Sequence, residues 1–238
     1  MPAASDHPQL PLGLALRESA RFECFFGGQN SEIVAALQQA ASGAGESLVY
    51  VAGARGMGKT HLLQAACRRA TAAGRSSTYL PLDARAELAT DVLAGLEQMD
   101  LVCLDDIHAI AGDAPWEGGV FDLFNRVRAA GSTLLVAGQQ RPDRAGFALP
   151  DLASRLAWGV TFLLKPLADT EVLDALTWRA RSRGLDLPAG TARFLIKRMP
   201  RDLPSAFALL DRLDEASMVE QRRLTVPFVK SVLGLGKA

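Results

Sequence analysis

Residues 53–60 read Gly-Ala-Arg-Gly-Met-Gly-Lys-Thr: three glycines, then a lysine and a hydroxyl, at fixed spacing. Such a loop lets successive backbone N–H groups curl around phosphate oxygens. Lys59, opening the helix that follows, adds its charge where the helix end already favours anions. Thr60 can offer a hydroxyl to Mg²⁺. A bare glycine-rich turn would hold nothing, so the flanks decide. Leu48-Val-Tyr-Val-Ala52 reads as a buried strand and His61-Leu-Leu-Gln-Ala-Ala-Cys67 as a helix. Strand, loop and helix in that order are the setting in which the motif binds a nucleotide. The expected contacts are Gly53, Arg55, Gly56, Met57, Gly58, Lys59, Thr60 and His61.

A second motif follows the first: Leu101-Val-Cys-Leu-Asp-Asp106, an apolar strand ending in two acids. Asp105 is placed to hold Mg²⁺ through water beside the phosphate loop. Asp106 stands where many ATPases carry a glutamate that orients the attacking water. It is one methylene shorter, and small misplacements of a catalytic group are costly, so slow intrinsic hydrolysis is expected. The alternative is a pair of loop aspartates that simply end a strand. His61 and His108 read as helix and loop residues. Trp116, Trp158 and Trp178 read as packing residues, and no His/Cys cluster suggests a transition metal.

These residues need a frame. A helix capped by Asn30 or Ser31 runs to about Ala41. Strands fall at about 47–52, Ser77–Leu82, Asp100–Asp105, Ser132–Gly138 and Val160–Leu164. Helical patterns lie between them, at about 59–73, Ala84 to Gln98, and 116–130. The alternation predicts an α/β domain with a five-stranded, mostly parallel sheet covered on both faces. After Pro166 the strand signal stops. Helices are expected over 169–183, from Pro188 in a first turn to about Met199, over 202–219, and over 225–233. The predicted organisation is a flexible tail over 1–20, a nucleotide-binding domain over 21–165 and a small helical lid over 166–238.

Bulk composition narrows the rest. The 238 residues carry 26 Lys+Arg against 26 Asp+Glu, so the whole molecule exerts no long-range pull on DNA or on an anionic membrane. Cys24, Cys67 and Cys103 are far apart and lack a C-x-x-C pattern, which reads as three reduced, mostly buried thiols in a cytoplasmic protein. No apolar run is long enough to span a bilayer, and the N-terminus has no signal-peptide pattern.

The two phosphate motifs, a Ser154-Arg155-Leu156 segment and the helical lid together resemble an AAA+ ATPase. The resemblance is to the DnaA replication-initiator branch, including its small DnaA-related regulators. Phe22-Glu-Cys-Phe-Phe-Gly-Gly-Gln-Asn30 is similar to the family's segment before its first helix, and Phe22, Phe25 and Gly28–Asn30 then flank the base or serve as core and cap. Leu149-Pro-Asp-Leu-Ala-Ser-Arg-Leu-Ala-Trp-Gly159 resembles its box VII. Leu224-Thr-Val-Pro-Phe-Val-Lys230 looks like the last helix of the regulators.

The resemblance implies ADP or ATP with Mg²⁺ as ligands, another nucleoside diphosphate being compatible. It implies that Arg155 is an arginine finger reaching a neighbour's γ-phosphate; without the family, Arg155 pairing with Asp151 one turn away is the simpler reading. It makes Arg201 the sensor II arginine at the start of a lid helix, the alternative being an exposed arginine. Sensor I departs from the pattern: Ala137-Gly138-Gln139-Gln140 stands where hydroxyl or acidic residues are usual. Gln9-Leu10-Pro11-Leu12-Gly13-Leu14 resembles a sliding-clamp-binding peptide, with Gln9 at the rim of the clamp's pocket and Leu10, Leu12 and Leu14 filling it. The implied partners are the clamp and DnaA, with self-association an option and no sequence-specific DNA binding. The function expected is a regulator that turns DnaA off by stimulating its ATP hydrolysis, itself at most a weak ATPase. The alternative is an autonomous initiator-like or helicase-loader-like ATPase. It is disfavoured because the sequence stops after the lid, where initiators carry a helix-turn-helix.

Overall fold

The structure is a computed structural model that describes residues 16, 17, 19–182, 184–198 and 203–235. Five strands, β1 (Leu48–Ala52), β2 (Ser77–Pro81), β3 (Leu101–Asp105), β4 (Thr133–Gly138) and β5 (Val160–Leu163), form one sheet in the order β2-β3-β4-β1-β5. All four pairings are parallel. Every residue of β1, β3 and β4 is buried, which explains their unbroken apolar runs: helices cover both faces, so neither face needs polar side chains. The outer strand β2 alternates and the outer strand β5 is partly exposed.

One face carries α1 (Ser31–Ala41) and α2 (Lys59–Ala72), whose Leu37, Leu62, Leu63 and Ala66 pack against Val49, Val51, Cys103 and Leu135. The other carries α3 (Ala114–Ala130) and α4 (Pro150–Leu156), with Val120, Leu123, Leu152 and Leu156 set against Tyr50, Val102, Leu104 and Val136. In register, Ala52 faces Gly138 and Leu163, and Pro81 faces Asp105. The carboxyl ends of the strands therefore line up, and the loops that follow them share one rim, where open parallel sheets bind ligands.

The remaining helices, α5 (Asp169–Ser182), α6 (Ala189–Ile196), α7 (Leu203–Glu220) and α8 (Val226–Val232), enclose a separate core of Leu176, Leu195, Leu210, Leu213 and Phe228. The sheet domain holds this bundle through its N-terminal segment. The Asn30 amide donates to the Lys165 carbonyl (3.0 Å) and accepts from the Lys165 N–H (2.8 Å). Glu171 accepts from the Gln29 backbone and side chain (3.2 Å each) and from Ala168 N–H (2.8 Å).

Several expectations are corrected. The helix anticipated from Ala84 to Gln98 is three short 3-10 turns, Leu82–Glu87, Thr90–Leu93 and Leu96–Gln98. Leu82, Leu93 and Leu96 all enter the α3-side core, and extended backbone at Leu88 and Ala94 with positive φ at Gly95 lets the chain bring them there; burial overrides helix propensity. Asn30 precedes α1 but does not cap it, because its side chain is committed to Lys165. Pro188 is the N-cap of α6 rather than a first-turn residue, and α6 stops at Ile196. Thr225 caps α8 by accepting from the Phe228 N–H.

Candidate nucleotide site and finger helix

The loop between β1 and α2 turns through positive φ at Gly56 (82°) and Gly58 (89°). At Gly58 a side chain is excluded twice, since a Cβ would lie 2.7 Å from the Phe25 ring. Lys59 is 6% exposed, and its ammonium donates to the carbonyls of Gly53 (2.8 Å) and Ala54 (3.0 Å). Burial lowers its pKa, opposed by the charges of Asp106 and Asp105.

Asp105 ends β3 and is 1% exposed. Its carboxylate accepts from the Tyr79 hydroxyl (2.9 Å) and from the Asp106 N–H (2.9 Å). Burial first, then the Asp105 charge, pushes the Tyr79 phenol far above its usual range, so it stays a donor. Asp106 adopts left-handed backbone (φ 50°, ψ 43°), uncommon for a side-chain-bearing residue and a conformation found where a site over-determines the chain. Desolvation, then Asp105, raises its pKa, while His108 and Lys59 pull it down. His108 Nδ1 lies 3.8 Å from Asp106 Oδ1, and His108 Nε2 lies 2.7 Å from Gln139 Nε2.

These groups line one cleft of about 1260 Å³. Arg55, Gly56, Gly58, Lys59, Thr60, His61, Asp105, Asp106, His108 and Gln139 form its floor and rim. Phe25 and Phe26 enter from the N-terminal segment, and Arg179, Phe207 and Asp211 from the lid. His61 hydrogen-bonds the Arg21 carbonyl (2.8 Å) and sits 5.9 Å from the Phe25 ring; burial lowers its pKa, which favours the neutral ring. Most of the predicted contacts thus meet in one place. Gly53 closes the loop from behind as the acceptor of Lys59, with Leu164 and the Met57 sulfur close against it. The donor set fits a Mg²⁺-nucleotide: a backbone cradle, a dehydrated ammonium, a hydroxyl at Thr60 and a buried carboxylate at Asp105.

Tyr79, His108 and the lid side chains escape sequence reasoning. Tyr79 looks like any strand aromatic; only the β2–β3 register, Pro81 opposite Asp105, brings it to the acid. His108 offers a weak signal, its position two residues past the paired acids. The stretch Gly28–Asn30 meets the lid junction, with a Cβ at Gly28 falling 2.6 Å from Glu171.

Arg155 lies on α4, away from the cleft lining. Its guanidinium stands 4.3 Å from the ring centroid of Trp158, as does that of Arg128, and Phe124 meets the same ring edge-on at 6.4 Å. Trp158 is 55% exposed, so it is a surface platform and not the packing residue expected, unlike Trp116 at 6%. The alternative pairing of Arg155 with Asp151 is not among the ion pairs of the described residues. Cys67 and Cys103 are buried thiols as expected, whereas Cys24 is half-buried. Arg201 and the segment carrying Gln9, Leu10, Leu12 and Leu14 lie outside the described residues. No helix among the described residues is long and apolar enough to cross a membrane.

Comparison with known proteins accounts for this arrangement. The profile of the bacterial DnaA ATPase domain matches residues 16–163, and that of the Hda lid domain matches residues 169–233. Domain III of the Thermotoga maritima initiator DnaA superposes with a TM-score of 0.77 at 18% identity, over 92% of this chain and 98% of that one. AMPPCP-bound DnaA from Aquifex aeolicus gives 0.71 at 19% identity, over 84% of this chain and 66% of that protein. The Thermotoga maritima RuvB Holliday-junction branch-migration motor gives 0.66 at 16%, over 87% and 68%. Identities this low establish the fold, whereas the two profiles between them run from the N-terminal segment through the last helix. The parallel sheet, with its phosphate loop after β1, paired acids at the end of β3 and an appended helical lid, is an AAA+ fold like that of DnaA domain III, and this chain belongs to the DnaA-related AAA+ proteins, most like Hda.

Proposed function

We propose that this chain is a nucleotide-binding regulator that docks on the DNA-loaded sliding clamp and stimulates ATP hydrolysis by DnaA, so preventing re-initiation of replication in the cytoplasm. One observation carries the reading: Arg155 is half-buried, stacked on an exposed tryptophan, outside the chain's own cleft. A guanidinium so placed cannot serve its own nucleotide but is available to a neighbour's. Supplied in trans, it stabilises the charge of phosphoryl transfer by on the order of a thousandfold in rate, provided the partner's site holds water and Mg²⁺. In this reading Gly53–Thr60 with His61 bind ADP or ATP, Thr60 and Asp105 hold Mg²⁺, Arg201 contacts the phosphates from the lid, and Gln9, Leu10, Leu12 and Leu14 engage the clamp. The chain divides into a tail (1–20), a nucleotide-binding domain (21–165) and a lid (166–238).

A second reading, an autonomous ATPase that remodels DNA, is favoured by the chain's own site, where Asp106, His108 and Gln139 converge beside Lys59. Adding the protein to ATP-bound DnaA, with and without clamp on DNA, separates the two. Hydrolysis that needs the clamp and disappears with Arg155→Ala supports the regulator. Strong hydrolysis by the isolated protein, indifferent to the clamp, supports the autonomous ATPase.

A further inference from the structure

Helix α3 contributes a carboxylate to the interior that none of the roles above uses. Glu117 is 1% exposed, and among the described residues it has no cationic partner. Its charge is satisfied by three backbone N–H groups. Gly112 (2.7 Å) and Ala148 (3.0 Å) donate to Oε1, and Leu149 (2.6 Å) donates to Oε2. A buried ion is tolerated only when so fully hydrogen-bonded, and removing one partner leaves the others stranded. The donors come from two places of consequence. Gly112 follows the 3-10 turn Ile107–Ile110 that leads away from Asp105 and Asp106. Leu149 is the N-cap of α4, the helix that carries Arg155, and no side chain of its own caps that helix.

At seven residues α4 is too short to hold its own direction, so its surroundings must set it. Leu152 and Leu156 anchor its inner face. Its two ends are fixed from α3. Glu117 clasps the residue before it, and Arg128 stacks on Trp158 just after it. Residues 117 and 128 are about three turns apart on α3, hence on one face.

We propose that Glu117 is the positioning residue of the finger: its carboxylate ties the turn leaving the paired acids to the start of α4 and thereby sets where Arg155 points. The proposal rests on the regulator reading, since it concerns the same arginine. A glutamine fills the same volume but serves only one side of the clasp. Its carbonyl can still accept from Gly112 and Ala148, while its NH₂ confronts the Leu149 N–H, donor against donor.

The test measures ATP hydrolysis by DnaA, with clamp on DNA, against increasing concentrations of wild type, Arg155→Ala and Glu117→Gln. Glu117→Gln is expected to bind ADP as wild type does and to lower the maximal stimulated rate tenfold or more, with the half-saturating concentration moving less than twofold. A variant with leucic acid at position 149, which turns that amide into an ester and deletes the single N–H, is expected to lose rate in the same way but less. It also keeps the test alive if Glu117→Gln does not fold. Wild-type maximal rates in the ester variant, or a loss expressed wholly as weaker half-saturation, overturn the proposal. Full stimulation by Arg155→Ala instead defeats the regulator reading itself, a separate result.

Discussion

At the scale of the residue, the arginine platform at Trp158 and the phosphate loop make different demands. Trp158 gives Arg155 a face to lie on, a cation–π contact worth about 0.5–1 kcal/mol at an exposed site. Trp158→Ala should therefore reduce the stimulated rate by roughly twofold to fivefold, and Trp158→Phe should recover most of it, as read in the same hydrolysis assay. Gly58→Ala asks more of the chain. It places a methyl group against Phe25 at φ 89° and should cost about 1–3 kcal/mol in denaturant unfolding while abolishing ADP binding. Unchanged ADP affinity in that variant would show that the loop does not grip phosphate as described. The loop, the paired acids and the Ser-Arg-Leu segment are legible in the sequence because each is a local pattern with its own spacing. Tyr79 on Asp105 and Gln139 on His108 are not, because partners 26 and 31 residues apart leave no local trace.

At the scale of the element, the segment from Phe25 to Asn30 couples the cleft to the lid. Phe25 lines the cleft, Phe26 packs 6.1 Å from Trp178 of α5, and Gln29 and Asn30 hold Glu171 and Lys165. The Ala168 N–H, then the Gln29 amide, hold the Glu171 carboxyl below its ordinary pKa. The ionised form is thus favoured in the fold. The contribution is fully present above the ordinary glutamate pKa of about 4.3 and is lost as pH falls through the lowered value. Acidification through that range should loosen α5 from the sheet domain, and Glu171→Gln should do so at neutral pH. Trp178 fluorescence, read with Trp116 and Trp158 replaced by Phe, reports it; an identical acid profile in Glu171→Gln would rule the latch out. The helices and strands with regular apolar spacing are mostly legible from sequence to within a residue or two. The stretch from Leu82 to Gln98 is not, since its leucines are spaced well enough for a helix and only the shape of the α3-side core demands three separate turns.

At the scale of the molecule, charge and order matter more than any one contact. Equal numbers of acidic and basic residues leave the whole molecule without a long-range pull on DNA. Deleting residues 9–14 should abolish capture by the clamp on DNA while leaving ADP affinity unchanged; persistent capture would assign the docking elsewhere. The alternation of strands and helices announces a parallel sheet, yet the strand order cannot be read from it. That β1 lies between β4 and β5, bringing the phosphate loop beside both Gly138 and the lid junction, follows from crossovers that sequence periodicity does not encode. The sheet ends at β5, only four residues long, with Val160 and Leu163 exposed. A greasy margin of that kind invites another chain to zip on and seed insoluble stacks, and its brevity is a safeguard: with four residues to copy, an intruding strand gains too few ladder bonds to stay.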